Sequence, residues 1–262
     1  MKFSRWLDFP SPTWRIYSLF ATVTMIVSVA FWGLVILLRL LFPINLDVET
    51  WYLRIWNLFV LKLYRMKVEI IGSENIPAGK SCLIVSNHQS LFDIPLAFKA
   101  MANVHIRMVA KRELFQIPIF GHVLNRTHFI PVDRKSRSSG VEASKEIRKR
   151  LGKGISVWVA PEGTRSVNWK LLPFRKGAFA VAVDEKIPVQ PILILNSYRS
   201  CTKEEYWVRC GSHLVVKILD PIYPDHPSFA DRALLCEEVQ KRMSEALMDA
   251  QAKNPSLFLR SA

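Results

Sequence analysis

The stretch Cys82-Leu83-Ile84-Val85-Ser86-Asn87-His88-Gln89-Ser90-Leu91-Phe92-Asp93-Ile94-Pro95 decides the fold. Residues 82–85 form a short apolar run that reads as a buried strand. From Ile94 to Met101 the chain is apolar and compatible with a helix. A polar turn lies between the two, and the carboxyl end of a strand is where open α/β sheets place their sites. His88 and Asp93 are five residues apart. On one helix they would point about 140° apart at 3.6 residues per turn, and on one strand they would face opposite sides. They meet only if the chain bends between them, so a His–Asp pair here requires a strand–loop–helix junction. Ser90 followed by Asp93 supports that junction, because a hydroxyl and an acid three residues apart resemble a capping box. The plainer reading keeps Asp93 as a first-turn carboxylate and His88 as a polar turn residue.

Outward from this stretch the chain keeps alternating. Short runs rich in β-branched residues fall at 68–71, 82–85, 104–110, 128–132, 155–160, 189–195 and 214–219. Helix-compatible segments fall at 91–101, 140–151 and 177–185, and a last helix is expected from about Ser228 to about Ala252. Strands alternating with helices predict an α/β fold with a mostly parallel central sheet flanked by helices. Trp158 interrupts an otherwise aliphatic strand and is expected to pack under the loop that follows.

The N-terminus differs from the rest. Residues 16–38 carry no charge, enough to cross a bilayer core that needs about 20 apolar residues. Lys2, Arg5 and Arg15 precede this segment, and Arg39 and Arg54 follow it, so the positive-inside rule selects no orientation. Residues 51–67 put Arg54, Asn57, Lys62 and Arg65 on a narrow stripe at helical spacing, with Trp51, Tyr52, Trp56, Phe59 and Tyr64 on the remainder. This pattern fits a helix lying at a lipid interface and equally an ordinary core helix. Either the first helix spans the bilayer or both helices dip into one leaflet as a hairpin. Basic flanks at both ends favour the hairpin.

Across 262 residues the formal charge is +14, the pI is 9.8 and the mean hydropathy +0.14. That balance suits an anionic partner. Nucleic acid would explain the charge but not the apolar helix. Cys82, Cys201, Cys210 and Cys236 form no C-x-x-C pair and read as reduced structural thiols. The histidines show no H-E-x-x-H or comparable spacing, so neither a metal nor another cofactor is expected.

Two further stretches carry chemistry. Ala160-Pro161-Glu162-Gly163-Thr164-Arg165 follows an apolar strand. Gly163 permits close backbone approach, Arg165 offers a planar fork suited to phosphate, and Glu162 is placed to hold an arginine or orient the loop. A salt-bridged turn is the plainer account. Lys111 and Arg134 each follow another apolar run. In a parallel sheet Lys111, Arg134, Arg165 and His88 converge on one edge, where cations beside an imidazole suggest a phosphate-bearing substrate next to a general base.

These residues, taken in order, resemble the glycerophospholipid acyltransferase superfamily, and most nearly the bacterial 1-acylglycerol-3-phosphate acyltransferases. His88 with Asp93 fits the first block. The segment from Pro118-Ile119-Phe120-Gly121 through Phe129-Ile130 to Asp133-Arg134 fits the second. Glu162-Gly163-Thr164-Arg165 fits the third, and Ile187-Pro188-Val189-Gln190-Pro191 the fourth. The likeness covers roughly residues 66–220. With the apolar N-terminal pattern it gives the expected division: membrane-anchoring helices over residues 1–65, and an α/β acyltransferase domain over 66–262.

The resemblance also implies roles. His88 acts as general base and Asp93 orients it. Lys111, Arg134, Glu162, Gly163, Thr164 and Arg165 form the substrate-phosphate site, with Arg134, Arg165 and Lys111 contacting phosphate and Glu162 and Gly163 shaping the pocket. The implied partners are lysophosphatidic acid, acyl-coenzyme A or acyl-acyl-carrier protein, and membrane lipid, at the cytoplasmic face of a bacterial inner membrane. Two alternatives stay open: a transferase of the same superfamily acting on another lysophospholipid or an aminolipid, and a non-catalytic basic protein of membrane surfaces.

Overall fold

The structure, a computed structural model, describes residues 12–39, 41–42, 45–133, 135–166, 169–201, 208–229 and 231–255. Seven strands make one sheet: β1 (Lys67–Ile71), β2 (Leu83–Ser86), β3 (Ile106–Lys111), β4 (Ile130–Val132), β5 (Ser156–Val159), β6 (Val189–Leu195) and β7 (His213–Ile218). Their order is β1-β7-β6-β2-β5-β3-β4. Every pair is parallel except β6 with β7. The expected mostly parallel sheet is present, with β1 and β7 running against the other five. β2, β5 and β6 are buried along their whole length. Strands covered on both faces read as continuous apolar runs rather than alternating ones, which is why the sequence pattern located them.

Helices cover both faces. On one side α2 (Leu46–Leu63) and α3 (Asp93–Ala100) bring Leu61, Leu96 and Phe98 against Ile84, Trp158 and Ile192. On the other, α5 (Arg137–Leu151), α6 (Gly177–Asp184) and α7 (Arg232–Lys253) bring Ile147, Phe179 and Val239 against Leu83, Val157 and Leu193. The outermost helix, α1 (Pro12–Arg39), packs on α2 and on the short α4 (Phe120–Arg126). Its outer face exposes Ile16, Phe20, Val23, Val27, Phe31 and Leu34. Among the described residues, Thr13–Arg39 is one helix long and apolar enough to cross a membrane.

Three details depart from the sequence expectation. α2 begins at Leu46 rather than Trp51, because the Asn45 side chain accepts the Val48 N–H at 2.9 Å and caps it. α7 begins at Arg232 rather than near Ser228, because Asp231 Oδ1 accepts from the N–H groups of Ala233 and Leu234. α4 lies where the sequence reading assigns no element. It is seven residues long and holds Gly121, where a Cβ would clash with the Phe115 carbonyl oxygen.

α2 is a core helix on one face, where Leu53, Asn57, Val60 and Leu61 are buried, and turns Trp51 and Leu58 outward. Its first turn is tied to the sheet by a buried charge. Arg107 on β3 is fully buried. Its Nη2 donates to Glu49 Oε1 at 2.5 Å, its Nη1 to Thr50 Oγ1 at 3.2 Å and its Nε to the Thr127 carbonyl at 2.6 Å. His128 Nδ1 lies 3.1 Å from the same Glu49 oxygen. Burial pushes the Glu49 carboxyl up, but the His128 hydrogen bond and the Arg107 charge outweigh it and hold it below its ordinary value. Breaking a buried pair strands a charge and costs about 3–5 kcal/mol. Arg107→Met is therefore expected to lose stability of that order, read as a lowered urea midpoint of the protein in detergent; an unchanged midpoint would mean that the pair contributes nothing.

Candidate active site

The apolar strand β2 ends at Ser86 and delivers a turn that is anchored at every residue. Asn87 is buried and acts as a side-chain extension of the strand. Its Nδ2 donates to the Ile194 carbonyl and its Oδ1 accepts the Ile194 N–H, both at 2.8 Å. Asp93, fully buried at the start of α3, supplies the centre. Its Oδ2 lies 2.7 Å from His88 Nδ1, and accepts the N–H groups of Gln89 at 2.6 Å and Ser90 at 2.8 Å. The chain bends between His88 and Asp93 as the spacing required. The Ser90 hydroxyl accepts from Phe92 N and donates to the Cys201 carbonyl, so it is engaged in holding the turn.

With Nδ1 facing a carboxylate, the neutral imidazole carries its proton on Nδ1 and leaves Nε2 as an acceptor. His88 lines a cavity of about 390 Å³. The Trp158 ring stands edge-on to it, with centroids 6.1 Å apart, and the indole N–H donates to Ser86 Oγ at 2.8 Å. Trp158 thus lies beneath the His88 turn.

The turn after β5 is stitched to the same histidine. Glu162 Oε1 accepts the His88 N–H at 3.0 Å, and the Ser166 N–H donates to the His88 carbonyl at 2.8 Å. Both backbone polar groups of His88 are therefore held by the turn that carries Arg165, and Arg165 lines the same cavity. Gly163 sits at φ +70°, and a Cβ there would meet the Arg175 guanidinium at 2.8 Å. Thr164 lies in this turn, half-exposed. Lys111, at the end of β3, also lines the cavity and pairs with Glu113 at 2.8 Å. Arg134 lies outside the described residues.

Glu162 takes the loop-orienting place that its sequence position allowed. Its second oxygen accepts the Leu172 N–H at 3.1 Å, so both oxygens face backbone donors. It braces the loop and brings negative charge, which an anion would avoid. Burial pushes its carboxyl up to about 7, against the pull of the Leu172 and His88 N–H groups.

Apart from this polar mouth the cavity is largely apolar. Met108, Leu124 and Phe129 line it from the α/β body, and Val29, Trp32, Gly33, Ile36, Leu53, Trp56 and Asn57 from the N-terminal helices. The part played by α1 and α2 in the site had no signal in the sequence, where these helices read only as lipid-facing or core. Leu91, Ile117 and Ile119 are exposed apolar side chains close to the mouth in sequence.

A family model described as Acyltransferase matches residues 67–195. A 1-acyl-sn-glycerol-3-phosphate acyltransferase of Limnanthes alba is 34% identical over 215 residues, covering 80% of this chain and 74% of its own length. The chain belongs to the acyltransferase family. The 1-acyl-sn-glycerol-3-phosphate acyltransferase alpha of Ovis aries is 35% identical over 69% of this chain, and the chloroplastic 1-acyl-sn-glycerol-3-phosphate acyltransferase BAT2 of Brassica napus 32% identical over 75%. The chain spans 64% and 57% of the length of those two relatives. The crystal structure of the 1-acyl-sn-glycerophosphate (LPA) acyltransferase PlsC from Thermotoga maritima has a TM-score of 0.77 and 26% identity, over 90% of this chain and 95% of that one.

For this acyltransferase the Glu162 carboxyl has a sign that can be tested. Its folded value lies above the ordinary 4.5, so the folded state binds a proton that the unfolded chain releases. The stability of the wild type relative to Glu162→Gln is expected to fall as the pH rises from about 4.5 to about 7 and to level off above that. Urea midpoints of both proteins across this range test it, and a flat difference would contradict it.

Proposed function

We propose that the protein is a membrane-bound 1-acyl-sn-glycerol-3-phosphate acyltransferase, transferring a fatty acyl group from acyl-coenzyme A or acyl-acyl-carrier protein to the sn-2 hydroxyl of lysophosphatidic acid to give phosphatidate. One observation carries the reading. The imidazole of His88, held by Asp93 at 2.7 Å, shares a largely apolar cavity with two cations, Lys111 and Arg165. A substrate with a hydroxyl, a phosphate and a long apolar chain matches that combination, and so do the substrates named for the relatives.

In the proposed mechanism His88 Nε2 takes the proton of the sn-2 hydroxyl as the oxygen attacks the thioester carbonyl. The new C–O bond forms, the C–S bond breaks, and the imidazolium returns its proton to the leaving thiolate. Asp93 keeps the ring in the required tautomer and stabilises its charged form. Arg165 and Lys111 hold the phosphate, with Arg134 expected beside them, while Glu162, Gly163 and Thr164 shape the loop. No acyl-enzyme is required, which agrees with the engagement of the Ser90 hydroxyl.

Residues 1–65 are proposed as the membrane-anchoring part, lying in one leaflet rather than crossing it. The outward apolar face of α1 and the exposed Trp51, Leu58, Leu91 and Ile117 support that reading. Acyl chains then enter the cavity from the bilayer, and the thioester donor arrives from the cytoplasm.

His88→Ala is expected to lower turnover by about 10²–10⁴-fold, the usual contribution of a positioned acid–base group, while lysophosphatidic acid still binds; retained turnover in the purified variant would remove His88 from the mechanism. Arg165→Ala is expected chiefly to raise the KM for lysophosphatidic acid, and an unchanged KM would reject its phosphate role. A flotation assay tests the anchor: the full chain should float with liposomes, and recovery of all of it in the aqueous fraction would contradict the proposal.

A further inference from the structure

A further cation stands against the His88 turn from the side away from Lys111 and Arg165. β6 neighbours β2 in the sheet and runs parallel to it, so the chain leaves β6 at the edge where His88 sits. The segment that follows β6 holds the turn, because the Ser90 hydroxyl donates to the Cys201 carbonyl at 3.0 Å. Two residues before Cys201 stands Arg199, half-exposed. The loop after β5, on the other flank of β2, comes round to meet it. Three residues beyond Ser166, whose N–H binds the His88 carbonyl, the Trp169 ring lies 5.3 Å from the Arg199 guanidinium carbon and 4.9 Å, edge-on, from the Tyr198 ring.

Nothing in the fold uses this charge. An indole face orients a cation without neutralising it. The charges that Arg199 feels are Arg209, which repels it, and Tyr198; loss of water and then the Arg209 charge push its guanidinium below the ordinary value. Arg199 Nη2 and the hydroxyls of Ser197 and Ser200 on the same segment are shut off from water and have no hydrogen-bond partner among the described residues. Native proteins leave few such groups, because each one costs free energy. A guanidinium that is oriented, partly desolvated and not neutralised is a site for an oxyanion.

We infer that Arg199, stacked on Trp169, binds the phosphate of the phosphopantetheine arm that carries the donor's thioester. The inference rests on the acyltransferase reading above and names the donor group that this chain holds. Transfer to lysophosphatidic acid brings two anions to one imidazole. Lys111 and Arg165 come from β3 and β5 and line the cavity; Arg199 comes from β6, on the opposite flank of the His88 turn, and does not line it. The two phosphates are thereby served by different cations. Coenzyme A and acyl-carrier protein share the phosphopantetheine arm, so either donor meets the same guanidinium.

The test presents one saturated acyl chain to the full-length protein on pantetheine and on phosphopantetheine, with lysophosphatidic acid as acceptor. The readout is the ratio of kcat/KM on the phosphorylated arm to that on plain pantetheine, taken within one preparation so that the fraction of active protein cancels. The wild type is expected to favour the phosphorylated arm by roughly 10–100-fold, the scale of a hydrogen bond between charged groups. Arg199→Ala is expected to bring that ratio close to unity, and Arg199→Lys, which keeps the charge but not the planar fork, to restore part of it. Arg199→Gln replaces the alanine variant if that one does not fold. The KM values for acyl-coenzyme A and for acyl-acyl-carrier protein are both expected to rise in the variant; a rise for one alone would place the contact on the nucleotide or on the carrier protein and overturn the assignment to the arm. A wild-type ratio near unity, or a ratio that survives the loss of Arg199, would overturn the inference. Unchanged ratios with weakened flotation on liposomes would overturn it too, and would give Arg199 to lipid phosphates. Absence of transfer from every donor in the wild type would instead overturn the acyltransferase reading.

Discussion

A single carboxylate oxygen organises the site. Asp93 Oδ2 takes the imidazole N–H of His88 and two successive backbone N–H groups. A buried carboxylate is tolerated only when hydrogen bonds replace its water, and here those bonds come from the turn it must shape. The oxygen therefore closes the bend between β2 and α3 and orients the imidazole in one act. The other half of the constraint comes from β5, whose following turn holds the N–H and the carbonyl of His88 through Glu162 and Ser166. Ring and backbone are both fixed, and Arg165 is carried on the same turn as the groups that fix them. The imidazole and the guanidinium-bearing turn are thus tied together by main-chain hydrogen bonds.

The second organising fact is that the N-terminal helices are not an appendage. α2 shares a core with β2, β5 and β6, and α1 and α2 supply one wall of the cavity. Hydrogen bonds from Tyr17 to the Leu63 carbonyl, from Tyr64 to Thr22 and from Trp56 to Ser28 hold the two helices together. The outward side of α1 is apolar, so this hairpin presents an apolar surface outside and one wall of a largely apolar cavity inside. The buried Arg107–Glu49 pair fastens that element to the sheet at the end opposite the chemistry.

Much of this was legible in the sequence for definite reasons. All seven strands are visible as short runs rich in β-branched residues, and the central three stand out most because burial on both faces leaves uninterrupted apolar runs, as in Leu83-Ile84-Val85 and Ile192-Leu193-Ile194-Leu195. The His88–Asp93 pairing follows from spacing together with the strand–helix change. What escaped is what depends on distant partners. Arg107 sits in His105-Ile106-Arg107-Met108 and looks like one polar residue on a strand; its counter-charge lies 58 positions earlier in sequence. The loop-orienting role of Glu162 is legible, but its partners are not: the N–H of His88 lies 74 positions earlier and that of Leu172 ten positions later. α4 escaped because a seven-residue helix containing Gly121 has too few periodic positions to register.

In the proposed mechanism transfer is direct: the His88 imidazole activates the acceptor hydroxyl, and no side chain carries the acyl group in between. Rapid mixing of the purified protein with a thioester donor labelled in its acyl chain tests this most directly. Without acceptor the protein should remain unlabelled and no thiol should appear. On adding lysophosphatidic acid, label should enter phosphatidate in step with thiol release, one for one. Label bound covalently to the protein in stoichiometric amount, with thiol released before any acceptor is added, would contradict the account.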